Sequence, residues 1–196
     1  MEIIFASQNQ NKIREISSLL PEHILLSGLD AEKYPVFKEE LPETGNTLEA
    51  NALQKARFVL QHTGKTCFAD DTGLEIFCLD GRPGVYSARY AGEAKSAEDN
   101  MAKILSEMKD CKDRSAHFRT VIAFTDGKQE HLFEGIVEGK IIEEKRGTKG
   151  FGYDPVFVPD GYSKTFAEME LEEKNSVSHR ARALKKFYEF ISTQNT

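Results

Sequence analysis

Two adjacent carboxylates at the end of an apolar run are the feature that most constrains this chain. The segment Phe68-Ala69-Asp70-Asp71-Thr72-Gly73 favours a short buried strand that ends in a turn. Side chains of a strand alternate between its two faces, so Asp70 and Asp71 share a face only if the strand has already ended. In a cleft, Asp71 would bind a hard divalent metal or hold a water, with Asp70 as a second ligand or an orienting partner. A turn held by Asx hydrogen bonds is the commoner explanation of such a pattern on its own.

Length and composition predict one globular domain. The chain has 196 residues, of which 39% are hydrophobic and 30% are charged. Such values are typical of a protein with one substantial core, and we expect residues 1–196 to form a single domain. No apolar run approaches the roughly 20 residues of a membrane helix, and Met1–Ala6 lacks the basic leader of a signal peptide. We therefore expect no association with membranes.

The cysteines and the net charge limit the compartment and the partners. Cys67, Cys78 and Cys111 form no Cys-x-x-Cys pair, and their odd number argues against a disulfide framework. This predicts reduced thiols and a cytoplasmic protein. The net charge of −6 would repel a phosphate backbone, which excludes broad, non-specific binding to a nucleic acid polymer. A nucleotide can still bind where positive side chains and backbone amides gather in one cleft.

A strand, a small-polar loop and a helix open the chain. Ile3–Ala6 predicts a buried strand, and Ile13, Ile16 and Leu19 follow with helical spacing. The loop between them has free backbone amides at the positive end of the helix dipole, which suits an anion. Its residues are Ser7, Gln8, Asn9, Gln10, Asn11 and Lys12. The glycines of a Walker loop are missing, so a capped helix with an exposed lysine explains the pattern equally well.

A second acidic candidate precedes the next helix. Glu43 lies in a Pro-Glu-Thr-Gly turn, and Thr47 is placed to cap the helix that follows. Glu43 is a candidate metal ligand, although a surface loop position is the default for glutamate. Lys55 and Arg57 lie off the apolar stripe of this helix and are most simply solvated surface charges.

A β-hairpin is the clearest local prediction. Residues 117–125 and 129–137 have strand-like patterns, and the Asp126-Gly127 pair between them favours a tight turn. Residues 139–144 predict one more strand. Strands and helices mix irregularly along the chain, so the predicted fold class is α/β, with a mixed sheet and flanking helices.

Two features of the last third suit a flat, polar ligand. Glycines alternate with aromatic residues in Thr148–Pro155, so the backbone can approach a ligand while Phe151 or Tyr153 stacks on a ring. A turn with two core aromatics is the alternative. His179 and Arg180 fall in the first turn of the last helix, where the helix dipole opposes positive charge. A bound anion or an electron-rich base edge would stabilise this pair.

Together these features are what a nucleoside triphosphate site needs, and their order resembles the inosine triphosphate pyrophosphatase family. The resemblance extends from residue 3 to about residue 190. It rests on Ser7-x-Asn9-x-x-Lys12, Glu43-Thr44-Gly45, Asn51-Ala52 with Lys55, Ala69-Asp70-Asp71-Thr72-Gly73-Leu74, the segment Gly81–Tyr90, Gly150-Phe151-Gly152-Tyr153-Asp154-Pro155, and Lys174 with Ser178-His179-Arg180.

The resemblance implies two lobes around a central nucleotide-binding cleft, a homodimer, and a Mg²⁺ requirement with Mn²⁺ as a substitute. It also implies hydrolysis of ITP, dITP and XTP to the monophosphate and pyrophosphate, which cleanses the nucleotide pool. The same resemblance makes Asp71 the catalytic carboxylate and a metal ligand. Beside it, we expect Lys12 and Lys55 to be catalytic, and Glu43 and Asp70 to be the further metal ligands. The substrate-binding residues that it implies are Ser7, Gln8, Asn9, Gln10, Asn11, Lys12, Thr72, Phe151, Gly152, Tyr153, Asp154, Lys174, His179 and Arg180.

Two positions depart from the family pattern. Asn11 stands where members usually carry glycine before the first-loop lysine, and asparagine tolerates a left-handed backbone better than most residues. Pro42 stands where many relatives carry an acid. Metal binding must then depend on Glu43 and the Asp70-Asp71 pair.

The mechanism predicted from these residues is in-line attack of water on the α-phosphorus. Lys12, Lys55 and Lys174 would offset charge on the departing pyrophosphate. Donors from Arg180, His179 or loop amides would select the 6-oxo acceptor of inosine and xanthine over adenine. Two alternatives stay open, namely a metal-dependent phosphatase or nuclease with the same acidic cleft, and a non-catalytic nucleotide-binding regulator.

Overall fold

The computed structural model describes residues 2–21 and 23–193, and within these ranges it has seven strands and five α-helices. The strands are β1 (Glu2–Phe5), β2 (Leu25–Ser27), β3 (Cys67–Ile76), β4 (Pro83–Gly84), β5 (Ser115–Thr125), β6 (Glu130–Ile141) and β7 (Phe157–Pro159). The helices are α1 (Gln10–Leu19), α2 (Leu48–Thr63), α3 (Ala97–Glu107), α4 (Leu171–Val177) and α5 (His179–Thr193).

The strands form one mixed sheet in the order β2-β1-β3-β5-β6-β7, with β4 paired to β3. The pairs β1–β2 and β1–β3 are parallel, whereas β3–β4 and β6–β7 are antiparallel. Parallel neighbours need a crossover between them, and here α1 and α2 supply the intervening chain. The predicted α/β class with a mixed sheet is confirmed.

The strand that carries the paired carboxylates is longer than predicted. β3 runs without a break through Asp70 and Asp71 to Ile76, so the pair lies inside a strand and not in a turn. Buried carboxylates are tolerated when charged or polar partners reach them, and both residues have such partners. Gly73 is required because a Cβ there would lie 2.7 Å from the carbonyl oxygen of Gly84 on β4.

The predicted hairpin is formed by β5 and β6. The side chain of Asp126 accepts hydrogen bonds from the backbone of Lys128 and Gln129, and Gly127 has a positive φ of 86°. The separate strand predicted at residues 139–144 is wrong, because β6 continues through Gly139 to Ile141. A Cβ at Gly139 would collide with the backbone of β7, so this glycine serves strand pairing and does not end a strand.

The chain divides into two compact units. The first comprises Met1–Asp71, Thr120–Glu134 and Ala181–Thr196, and the second comprises Thr72–Arg119 and Gly135–Arg180. The core of the first unit includes Ile3, Phe5, Ile16, Phe68, Ile122, Phe124, Leu184 and Phe187. The core of the second includes Leu74, Ile76, Met101, Ile104, Phe118, Val137, Phe157 and Phe166.

The expectation that all three cysteines are reduced thiols is wrong for one pair. Cys78 and Cys111, both in the second unit, form a disulfide, and Cys67 is a buried free thiol. An odd number of cysteines excludes complete pairing but leaves room for one bond, so the number of cysteines alone does not predict whether a disulfide forms.

Across residues 2–21 and 23–193, every helix is too short or too polar to cross a membrane.

Candidate active site

Successive carboxylates on β3 bond to different lysines. Lys12, on α1, donates from Nζ to Asp70 Oδ1 at 3.0 Å. Lys55, on α2, donates from Nζ to Asp71 Oδ1 at 3.3 Å. Both carboxylates are buried, and the strand alternation explains why neighbouring residues find separate partners. The structure therefore holds two ion pairs here, one for each aspartate.

One face of α2 organises the acidic side chains of the first unit. Thr47 caps this helix by accepting a hydrogen bond from Ala50 N at 3.1 Å, as predicted. Asn51, Gln54 and Lys55 follow at positions i, i+3 and i+4, which share one helix face. Lys55 Nζ lies 2.5 Å from Glu43 Oε1 as well as close to Asp71. A single ammonium group thus bridges two of the predicted metal ligands.

The charges of this cluster are mutually dependent. Burial is the largest influence on the pKa of Lys55 and lowers it, but the attraction of Asp71, Glu43 and Asp70 outweighs burial and leaves this pKa raised. Burial raises the pKa of Asp71, and the attraction of Lys55 and Lys12 offsets only part of that effect. Lys55 is therefore a persistent cation, and Asp71 is more basic than a surface aspartate.

The first loop is held in place by its own side chains. Asn9 caps α1 by accepting hydrogen bonds from Asn11 N at 3.0 Å and Lys12 N at 3.2 Å. Ser7 Oγ accepts one from Asn9 N at 3.2 Å. Gln8 donates from Nε2 to the carbonyl oxygens of Phe37 and Glu39, so its amide anchors a neighbouring segment.

Gln10 and Asn11 are the first two residues of α1. Asn11 is not among the residues of the described chain with positive φ, so the left-handed tolerance invoked for this position is not needed. The helix accepts asparagine here because an ordinary helical backbone imposes no glycine requirement.

The carboxylates fit a metal that also binds phosphate. No group of three or more His, Cys, Asp or Glu side chains within residues 2–21 and 23–193 is arranged to hold an ion alone. Mg²⁺ is commonly held by one or two carboxylates together with substrate phosphates. Glu43 and Asp71 supply such a pair, since both already contact the same cation at Lys55 Nζ. Asp70 is bonded to Lys12.

In the second unit, a glycine-aromatic loop is fastened by a buried ion pair. Asp154 Oδ2 accepts hydrogen bonds from Phe151 N at 2.8 Å and from Lys174 Nζ at 2.6 Å. Gly150 and Gly152 have positive φ values of 71° and 62°, which explains the alternation of glycine with larger residues. Lys174 Nζ lies 5.1 Å from the centre of the Phe151 ring.

The two aromatic residues of this loop have different environments. Tyr153 is 5% exposed, belongs to the core of the second unit and donates its hydroxyl to Ser87 O at 2.7 Å. Phe151 is partly exposed. Of the two rings proposed for stacking, Phe151 is therefore the accessible one, and the core alternative applies to Tyr153.

The basic pair at the start of α5 is buried. Arg180 is 1% exposed, and its Nη2 donates to Thr72 Oγ1 at 3.2 Å. Its guanidinium carbon lies 5.7 Å from the centre of the Phe151 ring. The ring of His179 stacks on Phe118 with centroids 4.7 Å apart. Within the second unit, Thr72, Phe151, Asp154, Lys174 and Arg180 thus form one connected group.

Sequence reasoning gave no role to two residues that shape these clusters. Asn51 donates from Nδ2 to Asp71 Oδ2 at 3.2 Å, and Ser87 accepts the Tyr153 hydroxyl through its carbonyl. In the sequence, Asn51 was recognisable only as part of the motif that it forms with Ala52 and Lys55. The spacing of Asn51, Gln54 and Lys55 on one helix face was the available signal, because polar residues on one helix face meet the same neighbours.

Comparison with known proteins gives full-length matches. The sequence profile of the Ham1 family matches residues 3–190. A dITP/XTP pyrophosphatase from Christiangramia forsetii is 52% identical, over 98% of this chain and 100% of the relative. One from Flavobacterium johnsoniae is 50% identical, over 98% of both chains.

Solved structures agree with the sequence matches. The Ham1 protein of Staphylococcus aureus has a TM-score of 0.88 and 39% identity, covering 99% of this chain and 100% of that chain. A HAM1 protein from Coxiella burnetii has a TM-score of 0.89 and 37% identity, covering 98% and 99% respectively. The resemblance drawn from the motifs is confirmed.

Proposed function

This chain belongs to the Ham1 family, and we propose from that premise that it hydrolyses non-standard purine nucleoside triphosphates. Its substrates are ITP, dITP and XTP, and its products are the nucleoside monophosphate and pyrophosphate. Relatives that match along their whole length carry the name dITP/XTP pyrophosphatase. The observation that carries the proposal is the cluster of Glu43, Lys55 and Asp71, which joins two carboxylates and a persistent cation.

The cluster of Lys12, Lys55 and Asp71 handles the triphosphate. Water attacks the α-phosphorus, its oxygen forms the new P–O bond, and the bond from the α-phosphorus to the bridging oxygen breaks. Asp71 orients the water and accepts its proton, since a more basic carboxylate suits that task near neutral pH. Lys12 and Lys55 offset the charge that develops on the departing pyrophosphate.

Mg²⁺, with Mn²⁺ as a substitute, is the proposed cofactor. Asp71 and Glu43 would hold it, and Asp70 is the third candidate ligand. When bound, the metal would neutralise phosphate charge and favour an ionised water. The first loop, Ser7 to Lys12, lies at the N-terminus of α1, where the positive end of the helix dipole suits the phosphates.

The group around Phe151, Lys174 and Arg180 has the chemistry to recognise a base. Phe151 stacks on the purine, since the flat face of any base can stack on an aromatic side chain. Lys174 was assigned above to the pyrophosphate, but it is bonded to Asp154 beside Phe151, so we reassign it to the base. Lys174 and Arg180 are donors, and adenine offers an amino donor where inosine and xanthine offer the 6-oxo acceptor. ATP would place its amino donor against these donors, which disfavours it.

We further propose that the protein acts as a homodimer in the cytoplasm, where the nucleotide pool is found, and that it acts on free nucleotides and not on polymers. Sedimentation velocity tests the assembly directly. A species of twice the chain mass at micromolar concentration is expected, and a monomer at all concentrations would contradict it.

A pyrophosphate-release assay tests the function. ITP, XTP, dITP, GTP and ATP are compared with Mg²⁺, while orthophosphate is measured in parallel. We expect pyrophosphate from ITP, XTP and dITP, with kcat/KM for ITP at least about 100-fold above that for ATP. Orthophosphate as the only product would indicate a phosphatase, cleavage of a polymer would indicate a nuclease, and tight ITP binding without turnover would indicate a regulator.

A further inference from the structure

The side chain of Asn51 connects the Asp71 carboxylate to the turn that carries Glu43. Asn51 is 1% exposed on α2. Its Nδ2 donates to Asp71 Oδ2 at 3.2 Å, and its Oδ1 accepts from Gly45 N at 2.8 Å. Rotating the amide by half a turn would set an oxygen against the carboxylate and an NH₂ group against the backbone N–H. The orientation of this amide is therefore fixed by both partners.

The turn itself is packed tightly against the same helix. A Cβ at Gly45 would lie 2.6 Å from Ala50 Cβ and 3.0 Å from Asn51 Oδ1, so the backbone of the turn touches α2. Glu43 is two residues earlier, and its carboxylate bonds Lys55 Nζ. Asn51 and Lys55 are four residues apart and share one helix face. The distance between Glu43 and Asp71 thus depends on contacts to a single turn of α2.

Both oxygens of Asp71 have donors on α2. Lys55 Nζ bonds Oδ1, and Asn51 Nδ2 bonds Oδ2. Lys55 carries charge, and a flexible lysine can follow a substrate phosphate. The Asn51 amide is short, buried and held at its other end by Gly45. Together with the Lys55 bond to Oδ1, it fixes the orientation of the Asp71 carboxylate plane.

We propose that Asn51 is a positioning residue for the hydrolysis: it holds the Asp71 carboxylate and the Glu43 turn in the relative geometry that the reaction needs. The proposal rests on the function proposed above. Asn51 acts through Asp71 and Gly45 and not on the nucleotide. Its removal should slow the chemical step while leaving nucleotide affinity in place.

Gln54 provides a matched control. It holds the same turn with the same kind of amide, accepting from Thr44 N at 2.8 Å and donating to Thr44 Oγ1 at 2.9 Å. Its contacts are to Thr44 and do not include Asp71. Asn51→Asp and Gln54→Glu therefore make the same isosteric change of amide to carboxylate on one turn, but only the first puts an oxygen against Asp71.

The experiment measures kcat and KM for ITP, and the Kd of α,β-methylene-ITP by calorimetry, for wild type and both variants. We expect Asn51→Asp to lower kcat about 100-fold, because a displacement of a catalytic group by about 1 Å causes a loss of that size. KM and the analogue Kd should stay within about threefold of wild type, as should all constants of Gln54→Glu. Asn51→Ala, which removes the donor without adding charge, should give the same split, and it replaces Asn51→Asp if circular dichroism shows that variant unfolded.

Two results would overturn the proposal. One is a kcat for folded Asn51→Asp or Asn51→Ala within threefold of wild type. The other is an equal loss in Gln54→Glu, because that would indicate general support of the turn. Wild-type protein that releases no pyrophosphate from any nucleotide would instead overturn the proposed function, and this proposal with it.

Discussion

Lys55 donates a hydrogen bond from its ammonium group to Asp71 Oδ1 over 3.3 Å. The same ammonium lies 2.5 Å from Glu43, so one positive charge is shared by two carboxylates that are 28 positions apart in the chain (71 − 43). Two carboxylates that share a site repel each other, and the lysine between them reduces that repulsion. One positive charge against two negative ones leaves a net negative charge at this centre, which a divalent cation would offset.

Asp71→Asn should lower kcat for ITP by about 10²–10⁴-fold, because the amide cannot accept the proton of the attacking water. KM should change much less. The measurement is steady-state pyrophosphate release, with Asp113→Asn as control, since Asp113 is an exposed aspartate that bonds Ser115. Near-wild-type turnover by Asp71→Asn would remove this residue from the mechanism.

Lys55→Met should lower kcat by about 10²–10³-fold, the usual size of one missing charge-stabilising donor. It should also lower Tm, because Glu43 and Asp71 lose their shared cation. Lys65→Met is the control, since Lys65 forms an exposed pair with Glu2 and such pairs contribute little to stability. Equal effects of the two substitutions on kcat would contradict the role given to Lys55.

Phe151→Ala should reduce kcat/KM for ITP by about 5–150-fold, which corresponds to about 1–3 kcal/mol of lost stacking. Tyr153→Phe should leave kcat/KM nearly unchanged, because its ring is buried, and should cost about 1 kcal/mol of unfolding free energy for the lost bond to Ser87. Kinetics and urea denaturation measure the two effects. The reverse pattern, with the kinetic loss in Tyr153→Phe, would show that the wrong ring was assigned to the base.

Chelation of divalent metal should abolish pyrophosphate release without unfolding the protein. The carboxylates of Glu43 and Asp71 both keep Lys55 as an ion-pair partner when no metal is bound, so removal of the metal leaves neither of them without a partner. Activity and far-UV circular dichroism are followed during EDTA treatment, and Mg²⁺ is then restored. Full activity in excess EDTA, or loss of the circular dichroism signal, would be inconsistent with this expectation.

Alkaline pH should destabilise the protein through Cys67. Burial raises the pKa of this thiol from 9.0 to about 12. Between these values the unfolded chain releases the thiol proton while the folded chain keeps it, so the free energy of unfolding falls as pH rises, by at most about 1.4 kcal/mol per pH unit. Urea denaturation from pH 8 to 11 should give a shallower decline for Cys67→Ala than for wild type. Parallel curves for the two proteins would exclude Cys67 as the cause.

The features predictable from the sequence are those set by neighbouring residues. Apolar periodicity and the Asp126-Gly127 turn identified the hairpin, and Thr47 was recognised as a cap from its position before a helical stripe. Local patterns of this kind depend on a few adjacent side chains. The motifs also identified the family, because their order along the chain is itself informative.

The features that could not be predicted depend on partners distant in the chain. Asp70 and Asp71 remain inside β3 because Lys12 and Lys55, 58 and 16 residues away, reach them. The surface role first given to Lys55 is wrong for the same reason, since its side chain is buried between acids. Tyr153 is a core residue because its hydroxyl meets Ser87, 66 residues earlier. The two residues of each such contact are too far apart in the chain to fall within one local sequence window.

Gly45 shows how a residue without a functional group can be as intolerant of change as a charged one. Any amino-acid substitution there introduces a Cβ into the space occupied by Ala50 and Asn51. In a library of random single mutants selected for growth on nucleotide-damaging medium, Gly45 should be depleted of variants alongside Asp71. A survey that scored positions only by the chemistry of their side chains would overlook it.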